Sequence, residues 1–172
     1  MKIVVSAPGK IHLSGEHAVV YGKPAVLAAI SKRLYVTIEK NPKSHPPAGG
    51  PNPNLPADAV HQALQAGQVQ NLKSQKDYLA AIIALVEKKY STDFSGFSLT
   101  INSDLPVGAG LGSSAALAVA VIGALTQYLQ KPWNVSEINE LAYEAEKTAH
   151  GNPSGGDNSV VSFGGLLWFR KE

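Results

Sequence analysis

An α+β domain is predicted for this chain of 172 residues, and three observations predict it. The first forty residues carry β-branched apolar runs broken by tight turns, which reads as sheet. Farther along, Gln75–Lys89 spaces its apolar residues at helical intervals, and Val135-Ser136 followed by Glu137 starts a further helix. Between them an alternating run, Phe97–Ser103 (FSLTINS), passes through a glycine-rich turn into the Ala-, Leu- and Val-rich helix Ala115–Leu125. The length suits one domain with a real core.

The elements follow in order. Lys2–Ala7 reads as a strand stopped by Pro8-Gly9, with Lys10 just past that turn. Ala18–Tyr21 is a further apolar run, ended by Gly22-Lys23-Pro24. Pro24–Ile30 and Leu34–Ile38 read as two more strands, the second alternating Leu34, Val36 and Ile38 inward. Asn41–Pro56 holds six prolines and reads as a surface loop. Ala57–Gln70 and Gln75–Lys89 read as helices, the second with Leu79, Ile82, Ile83 and Val86 inward and Lys76, Lys88 and Lys89 outward. Ser136 is the expected N-cap of a helix through about Lys147. HGNPSGGDN (His150–Asn158) is a second polar, glycine-bearing segment, and Leu166–Phe169 a last strand. No internal repeat interrupts the reading.

Composition narrows the function. The chain is 44% hydrophobic with a formal net charge of +2, so it has no dense Lys/Arg stripe of the kind nucleic acid requires. It has no cysteine, which removes disulfides, thiolate zinc sites and a Cys nucleophile, and fits a reducing cytoplasm. MKIVVSAPGK does not read as a signal peptide, and no apolar stretch is long enough to span a membrane. A soluble cytoplasmic protein is expected.

The chemistry concentrates at LPVGAGLGSSAA (Leu105–Ala116). Gly108, Gly110 and Gly112 can adopt angles closed to residues with a Cβ, and let a ligand approach the main chain. Ser113 and Ser114 then begin a helix, where unpaired N–H groups and a positive dipole favour phosphate. Their hydroxyls either cap the helix or face outward as a ligand for Mg²⁺. There is no G-x-x-x-x-G-K-[ST] and no G-x-G-x-x-G here, so a Walker loop and a dinucleotide fold are both set aside. Four polar sites are candidates to converge on this turn. Lys10 is either a solvated lysine or a cation that neutralises phosphate or lowers a carboxylate's pKa. Glu16-His17 is either a surface pair or a hydrogen-bonding edge for a polar substrate. Asp157 is either an Asx-turn residue or a general base. Glu146 is either a solvent-facing carboxylate or, with Ser114, a hard-oxygen ligand set for Mg²⁺. The chemistry implied is in-line phosphoryl transfer.

APGKIHLSGEHAVVYGKPA (Ala7–Ala25), LPVGAGLGSSAA and HGNPSGGDN occur in the order seen in the GHMP kinases, and the chain resembles that family from Met1 to Phe169. Within it, the third segment is similar to the mevalonate kinase form. The resemblance implies the family's N-terminal domain: a mixed β-sheet with helices packed on one face, a left-handed βαβ unit, and a ribosomal-protein-like topology. It implies a loop for ATP phosphates comprising Pro106, Gly108, Ala109, Gly110, Leu111, Gly112, Ser113 and Ser114. It further implies Ser114 and Glu146 as Mg²⁺ ligands, Asp157 as the catalytic base and Lys10 as its partner. Lys10, Glu16, His17, Ser154 and Asp157 then line the pocket of a small alcohol, mevalonate, that receives the γ-phosphoryl group of ATP. Related acceptors (phosphomevalonate, or the 3-hydroxyl of mevalonate) and a non-catalytic nucleotide-binding or interaction fragment are the alternatives.

Three departures accompany the resemblance, one being that the proline-rich Asn41–Pro56 loop matches no part of the family pattern. The family's third glycine-rich motif, which lies in a C-terminal domain, is not in these 172 residues. The chain is therefore expected to be an N-terminal domain alone, which pairs with a C-terminal domain or with a second copy of itself. Gly156 replaces the apolar residue usual before the aspartate, which is expected to loosen the turn that aims Asp157.

Overall fold

The computed structural model describes residues 1–40, 72–94, 97–106 and 108–171. The Asn41–Pro56 loop and the Ala57–Gln70 helix expected from the sequence lie outside the described residues. The described elements are β1 (Lys2–Ser14), β2 (Ala25–Lys40), α1 (Leu72–Tyr90), β3 (Phe97–Ser103), α2 (Ser113–Tyr128), α3 (Val135–His150), α4 (Gly156–Phe163) and β4 (Leu166–Phe169). The α+β class is as expected.

β1 does not stop at Pro8-Gly9. It continues to Ser14, pairing antiparallel with β2 from Lys2↔Glu39 to Ser14↔Val26, with register shifts at Pro8/Lys10 and His12/Ser14. A proline survives in a strand when it lies at a sheet edge or beside an irregularity, and here the register slips directly after it. Lys10 is thus a strand residue rather than a turn residue. Pro24–Ile30 and Leu34–Ile38 are likewise halves of one strand, β2. Its exposed Ser31-Lys32 break the apolar pattern without breaking the backbone.

The two halves of β2 have different second neighbours. Leu34–Lys40 pairs with β3, and Ala25–Ala28 pairs with β4. Since β1 lines the other edge of β2 throughout, β3 and β4 share one edge end to end. Every described pairing is antiparallel, where a mixed sheet was expected. The parallel relation is instead between β3 and β4, both antiparallel to β2 and joined through α2, α3 and α4.

The helices pack on one face of this sheet. Leu27, Val36, Ile38 and Leu99 from the strands meet Leu79, Ile82 and Val86 of α1, Ile122 and Leu125 of α2, Ile138 of α3 and Val160 of α4. Each such side chain contributes about 1.5–3 kcal/mol by leaving water. The predicted inward face of α1 is buried, and Lys88 and Lys89 are exposed; Lys76 is half-buried. α2 is buried nearly all round, which explains a composition of small and apolar residues without a polar face. Its N-cap is Gly112, with no side-chain capping bond, so neither Ser113 nor Ser114 caps it. α3 starts one residue before Ser136, and its cap is Asn134, whose side chain accepts from the Glu137 N–H at 3.2 Å.

The end of the HGNPSGGDN segment is helical. α4 begins at Gly156 and places Asp157 in its first turn.

Candidate functional site

The slip in β1 brings the start of the chain against the glycine-rich turn. The Lys10 N–H donates to the Leu111 carbonyl at 2.9 Å, tying strand to turn through the main chain. The lysine stem then runs over Gly112. A Cβ placed there would lie 2.6 Å from Lys10 Cγ and 3.1 Å from Cε, and the residue has φ +73°. Only glycine satisfies both conditions. Gly108 and Gly110 also have positive φ, but a Cβ on either would meet no atom of the described residues within 4 Å. The turn is therefore closed on the Lys10 side at one end and open at the other.

Beneath the turn, Lys10 is 4% exposed, not solvated. Its ammonium lies 3.0 Å from Asp157 Oδ2 and 3.0 Å from His12 Nδ1. Two donors reaching two acceptors explain how a lysine is held in the interior, where an unpaired charge is costly. Asp157 keeps partial access to solvent. It is aimed by the structure around it: the Ser154 hydroxyl accepts from the Gly156 N–H at 3.2 Å, and the Ser159 hydroxyl donates to the Gly155 carbonyl at 2.6 Å. Asn158, 1% exposed, donates to Asn139 Oδ1 at 2.7 Å and fastens α4 to α3. Gly156 does not loosen this arrangement. It is buried in α4, and Leu27 and Phe169 approach to 3.3–3.5 Å of the point where a Cβ would stand.

Glu146 on α3 is 6% exposed and so is not a solvent-facing carboxylate. Burial pushes its pKa up to about 7; the Asp157 charge adds to the rise and Lys10 opposes it. Tyr78 of α1 is raised as well, by burial first and then by the Glu146 charge. No group of three or more His, Asp or Glu side chains among the described residues forms a metal cluster. Ser114 lies half-buried in the first turn of α2, and no described contact joins it to Glu146.

Of the predicted residues, then, Lys10, Asp157, Glu146 and the turn from Leu111 to Gly112 come together. Pro106, Ala109, Ser113 and Ser114 flank that turn. Ser154 serves the local backbone. Glu16 is exposed, with Oε1 3.9 Å from His12 Nδ1, and His17 is exposed beside it. The residue that the sequence reading missed is His12. It lies in the regular stretch of β1 between the two register shifts, so the period of two puts it on the face of Lys10. That spacing was the available signal. A cleft of about 710 Å³ lined by Met1, Ile3–Ser6, Gln127 and Trp133 includes none of these residues.

The sequence pattern described as "GHMP kinases N terminal domain" matches residues 77–165, just over half of the chain. The chain belongs to the GHMP kinase N-terminal domain family. This GHMP domain is 38% identical to the mevalonate kinase of Thermococcus onnurineus over 99% of its own length and 52% of that protein. In structure it resembles the Methanococcus jannaschii mevalonate kinase, with a TM-score of 0.79 and 25% identity over 99% of this chain and 54% of that one. It also resembles the L. major mevalonate kinase solved in complex with R-mevalonate, with a TM-score of 0.72 and 29% identity over 98% and 48%. The GHMP domain described here spans about half the length of the curated relatives it matches.

Proposed function

We propose that this chain is the ATP- and substrate-binding half of a mevalonate kinase, acting on the 5-hydroxyl of mevalonate in the cytoplasm. The observation that carries the reading is the buried Lys10–Asp157 ion pair set against the glycine-rich turn. In this reading the turn from Pro106 to Ser114 holds the ATP phosphates with backbone N–H groups and the start of α2. Its open side at Gly108 and Gly110 leaves room for such a ligand. Asp157 takes the proton as the substrate oxygen attacks the γ-phosphorus, while the bond from that phosphorus to the departing ADP oxygen breaks. Lys10, 3.0 Å from Asp157 Oδ2, holds that carboxylate in place and offsets negative charge in the site. Glu16, His17 and Ser154 border the acceptor.

Ser114 and Glu146 would hold Mg²⁺. The donor set fits: two hard oxygen groups, one of them a buried carboxylate that no cation pairs with among the described residues. When bound, the ion neutralises phosphate charge. Exposed Tyr21, Phe163, Leu166 and Trp168 support a second domain covering that part of the surface.

The test is ADP release with Mg·ATP and mevalonate, run on this chain alone and on a protein of the relatives' full length. Turnover that requires mevalonate supports the reading. Turnover only with phosphomevalonate moves the assignment to another GHMP kinase. ATP binding by the shorter chain without turnover makes it a nucleotide-binding half, which its share of the relatives' length favours.

A further inference from the structure

His12 has no part in the proposed transfer step, yet its ring stands between Lys10 and Asp157. Nδ1 stands 3.0 Å from Lys10 Nζ, and Nε2 stands 3.6 Å from Asp157 Oδ1. With Lys10 Nζ 3.0 Å from Asp157 Oδ2, the three side chains close a ring. An ammonium can only donate, so the Nδ1 facing it must be an acceptor. The ring proton then sits on Nε2, turned toward the aspartate.

We propose that His12 is a positioning residue for phosphoryl transfer: its neutral imidazole anchors the Lys10 ammonium through Nδ1 and presents Nε2–H to Asp157. The catalytic part of this inference rests on the kinase reading; the arrangement of the ring does not. Without His12, the described contacts of the Lys10 ammonium reduce to Asp157 alone, and a flexible four-carbon stem with one partner keeps less of a defined place. Four groups face the ring. Burial and the Lys10 charge lower its pKa below the usual 6.5, His17 lowers it further, and Asp157 and Glu16 oppose. Protonation would turn Nδ1 into a donor, set it against Lys10 and favour Glu16, 3.9 Å away. The anchor is therefore present above the His12 pKa and lost below it.

Long-range ¹H–¹⁵N NMR on the 172-residue chain reads the tautomer directly, with His12→Asn identifying the signal. The expected result is an unprotonated Nδ1 at pH 7.5, a midpoint below 6.5, and a Lys10 ammonium signal that weakens in His12→Leu. A proton on Nδ1, or a Lys10 signal indifferent to His12→Leu, overturns the proposal; the tautomer is read on the parent protein, and His12→Asn serves only to assign its signal. In the active full-length protein, His12→Leu is expected to lower kcat about 10–100-fold, with KM for ATP changed by less than about threefold. His12→Asn, whose Oδ1 can replace Nδ1 as acceptor, recovers most of the loss. A kcat for His12→Leu equal to the parent's removes the positioning role. If the parent itself does not turn over, the kinase reading fails, and the tautomer and the Lys10 signal alone decide the place of His12.

Discussion

Asp157 and Glu146 are two carboxylates in one site that the fold treats in opposite ways. Asp157 heads α4, half in solvent, with an ammonium 3.0 Å away. Glu146 lies inside α3, almost wholly buried, and feels the same ammonium only as the weakest of three influences. The first is compensated in the resting protein. The second is not, and its pKa near 7 records the cost. The pair shows how one domain can hold one carboxylate beside an ammonium and bury another that no described cation pairs with.

The sharpest way to break this contrast is Asp157→Asn in the full-length protein. On the proposed kinase reading, loss of this carboxylate reduces kcat about 10²–10⁴-fold while ATP binding, followed by calorimetry, stays within a few-fold. A kcat within a few-fold of the parent removes Asp157 from that role. Next comes the glycine on which Lys10 rests. Gly112→Ala must take a positive φ and push Lys10 aside, so urea unfolding should show a loss of about 2–4 kcal/mol. Gly108→Ala, with no neighbour to displace among the described residues, should lose about 1–2 kcal/mol from backbone strain. Equal losses would mean that the Lys10 contact carries no weight.

Glu146→Gln sharpens the other half. A carboxyl whose folded pKa is raised to about 7 binds its proton more tightly when folded, so folding weakens as pH rises from the unfolded value toward 7. Between pH 5 and pH 8, in metal-free buffer, the parent should therefore lose about 2–3 kcal/mol relative to Glu146→Gln. A pH-independent difference between the two proteins would mean that Glu146 is not a buried titrating group. The smallest effect belongs to Asn134→Ala, which removes the cap of the helix carrying Glu146. It should cost about 1 kcal/mol and leave the Glu146 titration in place, separating the helix's stability from the burial of its carboxylate.

Much of this was legible in the sequence. The positive φ of Gly108, Gly110 and Gly112 and the inward face of α1 follow from local pattern. What was not legible depends on partners distant in the chain. Pro8-Gly9 carries every local mark of a stop, and only the pairing with β2 and the slip beside it keep the strand going. Ser31-Lys32 suggests a turn because the two strands that hold the halves of β2 in line arrive much later. Gly156 looked like slack, but Leu27 and Phe169 fill the volume an apolar side chain would take. His12 was readable in principle, as the residue two along from Lys10. Its meaning depends on Asp157, which local spacing cannot supply.

The shared edge of β2 also governs the order in which the molecule can be assembled. One half of that edge finds β3 near the middle of the chain, but the other half waits for Leu166–Phe169. Until those residues are available, Ala25–Ala28 offers unpaired backbone to any strand that comes near, and Asp157 has no fixed support from Phe169 behind Gly156. Lys10 and Asp157 are 147 positions apart in the sequence, so their contact closes a long loop, a non-local step that contributes to slow folding. During synthesis the ion pair cannot form before Asp157 has emerged, and a ribosome-bound chain lacking β4 carries a sheet with an open, adhesive flank.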